Sequence, residues 1–123
     1  MKRTKLESEI QRQIEAEIGA EPDLLLLKNS NGVARYTTDE GKQFTVPYGL
    51  GTGSPDLVGI LAPMGRWICL EIKCPGEEPR PTQVKCHAVW RKFGAFIRTV
   101  TSPAEARAAL DEARLEGRCQ GAA

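Results

Sequence analysis

Three ionisable side chains combine type and spacing in a way that could do chemistry. Asp56 follows Pro55, and Glu71 and Lys73 flank Ile72. Between them lie two short aliphatic runs, Leu57 to Leu61 and Trp67 to Ile72, separated by Pro63-Met64-Gly65. Such runs around a Pro/Gly turn predict an antiparallel hairpin. With the turn centred between Met64 and Gly65, Val58 falls opposite Glu71 and Asp56 opposite Lys73. Side chains alternate along a strand and directly opposed residues share a face, so Asp56, Glu71 and Lys73 are expected together on one side. Charge on a largely apolar hairpin is costly. Two carboxylates that bind a hard divalent cation beside a lysine offset that cost.

The elements that must position this trio can be read along the chain. Residues 4 to 18 form a first helix in which Leu6, Ile10, Ile14 and Ile18 recur at helical spacing before Gly19. On the helical wheel Glu7 and Gln11 share a sector with Ile14 and Ile18, while Glu9 points away. Leu24 to Leu27 is a continuous apolar run of the kind that suits a buried strand, followed by an Asn29 to Gly32 turn. Val33 to Thr37 and Gln43 to Val46 predict a second hairpin closed by Asp39 to Lys42. Tyr48 to Pro55 is a glycine-rich approach to Asp56. It lacks the Lys-Ser/Thr ending of a phosphate loop and the helix of a dinucleotide fingerprint, so no nucleotide cofactor is expected. Its glycines instead permit unusual backbone angles and close approach to a substrate backbone. Cys74 to Pro81 is a proline-rich loop. A helix from Thr82, as N-cap, to Phe93 would turn Gln83, Cys86, His87, Trp90 and Phe93 inward, ending at Gly94. His87 reads as a partly buried helix histidine with a satisfied hydrogen bond. Ala95 to Val100 is a further strand, and Ser102-Pro103 opens a last helix to about Glu116, with Ala106, Ala109, Leu110 and Ala113 as its apolar stripe. The tail 117–123 is expected to fray.

Pro55-Asp56 followed by Glu71-Ile72-Lys73 reproduces the motif written PD-(D/E)XK, and the chain resembles the metal-dependent nuclease superfamily of that name. Gly53-Ser54-Pro55-Asp56, Glu71-Ile72-Lys73 and Pro81-Thr82-Gln83 together look like the virus-type replication-repair nuclease family, VRR-Nuc, over roughly Leu6 to Ala108. The resemblance implies an α/β fold with a restriction-endonuclease-like core, a central mixed β-sheet flanked by α-helices. It implies a magnesium- or manganese-dependent endodeoxyribonuclease. Asp56, Glu71 and the main-chain carbonyl of Ile72 would be metal ligands. Lys73 would stabilise the attacking hydroxide or the transition state. Glu7, on a Glu-x-x-Ile-Gln pattern similar to the family's, would hold a second metal or position waters, and Gln83 would orient the water or a site carboxylate. Stand-alone members look like homodimers that resolve four-way DNA junctions, so branched DNA and a second copy are the expected partners. The competing readings are a less selective phage- or restriction-type endonuclease, a catalytically silent DNA-binding module, and a plain interaction domain with a coincidental trio.

Composition sets the outer limits. With 123 residues a single domain is expected, and 27% charged and 6% aromatic residues are ordinary for a globular protein. The net charge of +1 gives no global basic signature, so DNA contact requires a local patch. Arg80, Lys85, Arg91, Lys92 and Arg98 supply one, with no acidic residue between Glu78 and Arg98. No run suits a membrane span and no secretory signal is apparent, which predicts an intracellular, cytoplasmic protein, bacterial or phage-encoded. Cys69, Cys74, Cys86 and Cys119 lack zinc-site spacing and are expected as free, mostly buried thiols.

Overall fold

Thr4 fixes where the first helix begins. Its Oγ1 accepts from the Glu7 amide at 3.0 Å, and Glu7 Oε1 accepts from the Thr4 amide at 3.2 Å, a reciprocal capping box. The computed structural model describes the backbone of residues 4–121 and the side chains of residues 4–117. In chain order the elements are α1 (Lys5–Ile18), β1 (Leu24–Lys28), β2 (Gly32–Thr37), β3 (Gln43–Tyr48), β4 (Leu57–Leu61), β5 (Arg66–Ile72), α2 (Pro81–Lys92), β6 (Phe96–Val100) and α3 (Pro103–Gly121). α1 buries Glu7, Ile10, Gln11, Ile14 and Ile18. Leu6 does not join that stripe and is 53% exposed. Steps of four residues drift by about 40° each, which carries Leu6 off the face that Glu7 and Gln11 hold.

The central sheet has the order β1-β4-β5-β6. β1 and β5 run antiparallel to β4, and β6 runs parallel to β5, so the sheet is mixed as expected. On one face α1 and α3 pack over Leu57, Leu61, Ile68, Leu70, Ile72, Phe96 and Val100. Ala106, Ala109, Leu110 and Ala113 form the buried stripe of α3, and Ser102 Oγ accepts from the Glu105 amide at its start. α3 runs on to Gly121, past the expected end at Glu116 and through most of the segment expected to fray; the last two residues lie outside the described ones.

The β4–β5 register corrects the expected hairpin by two residues. Val58 pairs with Cys69 and Leu57 with Leu70, and continuation by one residue sets Asp56 opposite Glu71 rather than Lys73. The reason is the turn: Gly65, at φ +69°, supplies its left-handed residue and bonds back to Leu61 O at 3.0 Å, so Arg66 already belongs to the strand. An even slip leaves every side chain on its original face.

The other face of the sheet is only half covered. α2 lies over Cys69 and Ile97, where Trp90 packs, and leaves β1 and the outer part of β4 open. In the row Leu25, Ile60, Trp67 the residues are 57%, 40% and 39% exposed. β1 is therefore an edge strand, not the buried strand that its run of leucines suggests. α2 itself begins two residues earlier than expected, with Arg80 rather than Thr82 as N-cap and Pro81 in the first turn, where a missing N–H costs nothing. Phe93, expected inward, ends the helix in solvent at 86% exposure. β2 and β3 pair only with each other and stand apart as a hairpin on which Tyr36 stacks on Phe44. Of the described cysteines only Cys69 is buried, its thiol pushed up to about 12 by burial, while Cys74 and Cys86 are half-buried; the Cys119 side chain lies outside the described residues.

Arg114 clamps α3 to the start of β1. It donates to both oxygens of Asp23, at 2.8 and 2.6 Å, and its hydrogen bond holds the Asp23 carboxyl below the usual range. Such a depressed carboxyl contributes stability above its unfolded value of 3.8 that is lost as pH falls through the folded value. Arg114→Met is expected to cost about 1 kcal/mol at pH 7, given the partial exposure of the pair. In thermal melts the gap from the parent should narrow below pH about 4.

Candidate active site

Glu71 is 1% exposed near the end of β5, on the sheet face that α2 covers. An ionised carboxylate there needs donors, and α2 brings two from successive turns. Gln83 Nε2 donates to Oε2 at 3.2 Å, and His87 Nε2 lies 3.2 Å from Oε1. Gln83 is held in turn, because its Oε1 accepts from the Arg80 amide at 2.8 Å. Both ends of Gln83 are thus committed to positioning Glu71. Burial, and then the charge of Arg91, push the His87 imidazole below its ordinary range. It is neutral at pH 7 and donates through Nε2. The expected hydrogen bond is present, the burial is nearly complete rather than partial, and the partner is a residue of the trio.

Asp56 stands just before β4, half-buried, and its Oδ2 accepts from the Ile72 amide at 2.8 Å. That bond ties one carboxylate to the residue next to the other. Lys73 is 4% exposed, with its amide bonded to Val100 O at 3.0 Å. The charges of Asp56 and Lys73 both reach His87, with opposite sign. Asp56, Glu71, Lys73, Gln83 and His87 are therefore one group. Glu7 is buried at the start of α1, where its Oε1 serves the capping box, and its charge reaches Cys74 after Lys73. Among the described residues no three His, Cys, Asp or Glu side chains form a ready-made metal cage, so Glu7 does not close a ligand triad with Asp56 and Glu71.

A cleft of about 840 Å³ opens beside this group. Its walls include α1 from Ser8 to Glu15, the base of the β2–β3 hairpin, the glycine-rich segment, Asp56, Arg80 and Gln83. Gly53, at φ +83°, sits so close to Thr82 O that a side chain would clash, which brings the glycine-rich segment against the start of α2. Ser54 is the hub that fixes this wall. Its Oγ accepts from Asn29 Nδ2 and Asn31 Nδ2, both at 2.8 Å, and donates to Gly51 O at 2.6 Å. Asn29 Nδ2 also reaches Pro55 O at 2.7 Å, and the Asn29 amide bonds Asp56 O at 2.9 Å. Sequence reasoning took Asn29 and Asn31 for turn residues only. The available signal was a pair of asparagines alternating before the segment that carries Asp56.

The basic residues divide. Arg80 lines the cleft, and Lys85, Arg91 and Lys92 are exposed along α2, with Arg91 also donating to Ile97 O at 3.0 Å. Arg98 leaves the patch: its side chain lies on the opposite sheet face, 4.2 Å over the Phe96 ring and paired with Glu112. Arg12 and Lys28, unselected from sequence, line the cleft as well.

The chain is a mixed α/β fold with helices on both faces of its central sheet. A solved structure titled "VRR_NUC domain" is similar to this chain with a TM-score of 0.54 and 24% identity, over 88% of this chain and 97% of that one. The chain has the VRR_NUC fold. No protein-family model matches the sequence, and no curated protein matches it either.

Ser54→Ala is expected to remove the acceptor that Asn29 and Asn31 share at the hub. Loss of about 1 kcal/mol in urea unfolding is anticipated, larger than for Ser8→Ala at another residue that lines the cleft.

Proposed function

We propose that this chain is a metal-dependent DNA endonuclease that cuts branched DNA, four-way junctions foremost, as a homodimer. The observation that carries the reading is the joint fixing of Asp56 and Glu71 beside buried Lys73, with Asp56 and Gln83 lining the adjoining cleft. The VRR_NUC fold supports it. The donor set fits a hard cation. Asp56 and Glu71 offer oxygen only, and magnesium typically takes one or two carboxylates while keeping several waters, so it does not require a three-residue cage. Asp56, Glu71 and the Ile72 carbonyl would hold magnesium or manganese, with Glu7 oriented toward its waters. When bound, the cation would stabilise charge on the phosphoryl oxygens and lower the pKa of a water.

The protein's own share is positional and electrostatic. Gln83 and His87 fix Glu71 in one rotamer, and the Ile72 amide does the same for Asp56. The Lys73 ammonium, shielded from water, is worth more to developing negative charge than it would be in solution. Arg80 at the cleft, then Lys85, Arg91 and Lys92 along α2, would meet backbone phosphates. The open sheet face of Leu25, Leu27, Ile60 and Trp67 supports a second copy as partner, since an isologous contact would cover it and present two sites to paired strands.

The test is cleavage of synthetic duplex, single strand, flap and four-way junction with magnesium. Preference for the junction is expected, and equal rates on duplex would leave a less selective endonuclease. Lys73→Met is expected to lower the rate by about 10²-fold or more, and parent-level cutting by that variant would overturn the catalytic assignment. Ile60→Glu should shift the sedimentation mass from dimer to monomer; an unchanged dimer would move the interface elsewhere.

A further inference from the structure

Gln11 presents an unusual balance. It is 5% exposed, yet its Oε1 is the buried side-chain atom without a hydrogen-bond partner among the described residues. A lone buried acceptor is unfavourable and calls for a donor that the protein does not supply. Gln11 lies one helical turn beyond Glu7 on the buried stripe of α1 and lines the same cleft as Asp56 and Gln83.

Elimination among the amides of that cleft sharpens the point. Gln83 is engaged at Oε1 and Nε2. Asn29 accepts from the Leu50 amide and donates to Ser54 and Pro55. Asn31 accepts from the Gly51 amide and donates to Ser54. Gln83 could turn to a water only by releasing Glu71. Gln11 can do so without breaking any bond from its Oε1.

The chemistry of the atom selects its occupant. An amide oxygen is an acceptor only, so a phosphate oxygen is no partner for it. In a cleft that Asp56 also lines, the best available donor is a water polarised by a hard divalent cation. We propose that Gln11 Oε1 accepts a hydrogen bond from a water of that hydrated cation and so positions it in the cleft. The inference rests on the nuclease reading of the site.

The experiment is calorimetric titration of the full chain with Mn²⁺, alone and without DNA, on the parent, Gln11→Met and Gln11→Glu, with metal-free melts beside it. Methionine keeps the shape and removes the acceptor. Gln11→Met should bind Mn²⁺ about fivefold more weakly, the equivalent of one hydrogen bond, while its metal-free melting temperature stays level or rises. Gln11→Glu keeps an acceptor and adds charge, and should bind more tightly than the parent. A parent that binds no Mn²⁺ would overturn the metal-site reading itself. A parent that binds, with Gln11→Met binding equally well, would overturn this inference alone. A metal-free melting temperature that drops in Gln11→Met would also overturn it, by making Gln11 a structural residue. Should Gln11→Met fail to fold, Gln11→Glu decides: absence of tightening refutes the proposal.

Discussion

The burial of one carboxylate governs this structure. Glu71 sits at 1% exposure in a strand whose neighbours are Leu70 and Ile72. An unpaired ion at such a place costs several kcal/mol, and hydrogen bonds to a charged group return about 1.5–3 kcal/mol each. The Gln83 and His87 bonds therefore come close to offsetting the cost, and they do so only if α2 lies over β5 with those two residues facing down. The seating of α2 is set by this polar contact together with the packing of Trp90 on Cys69 and Ile97. One consequence is the half-covered sheet. A helix anchored over Glu71 cannot also shield Leu25 and Ile60.

A second polar hub works at the other wall. Asn29, Asn31 and Ser54 join the β1–β2 connection to the glycine-rich segment, and the Ile72 amide closes the path by holding Asp56. The two acidic residues are thus supported from different sides, Glu71 by a helix and Asp56 by loops and a strand. The loops at this cleft gain their order from side-chain and backbone hydrogen bonds rather than from a core. The cost of that design is sensitivity, since the one buried Ser54 hydroxyl joins both asparagines to Gly51.

Much of the fold was legible in the chain. The hairpin carrying Asp56, Glu71 and Lys73 has strands separated by turn residues, and period-two alternation assigns their faces even when the register slips by two. The α1 stripe identified Glu7 and Gln11 as inward, because wheel position depends only on local spacing. The capping of α3 by Ser102 followed from Ser-Pro chemistry. Leu24 to Leu27 misled, because a run of leucines reports that a strand could be buried and not whether a neighbour exists to bury it. Phe93 and Arg98 were misplaced for a related reason: their surroundings are set by other elements, solvent for the one and Phe96 with Glu112 for the other.

The amino-acid sequence alone determined which residues could do chemistry here and which of them share a face, since both follow from side-chain type and from local periodicity. It took the tertiary structure to decide that His87 joins Glu71, that Ser54 gathers two asparagines, and that Gln11 Oε1 is buried without a hydrogen-bond partner among the described residues. Those are long-range facts: whether a buried polar atom finds a partner depends on which distant segment arrives beside it, and no local pattern encodes that arrival.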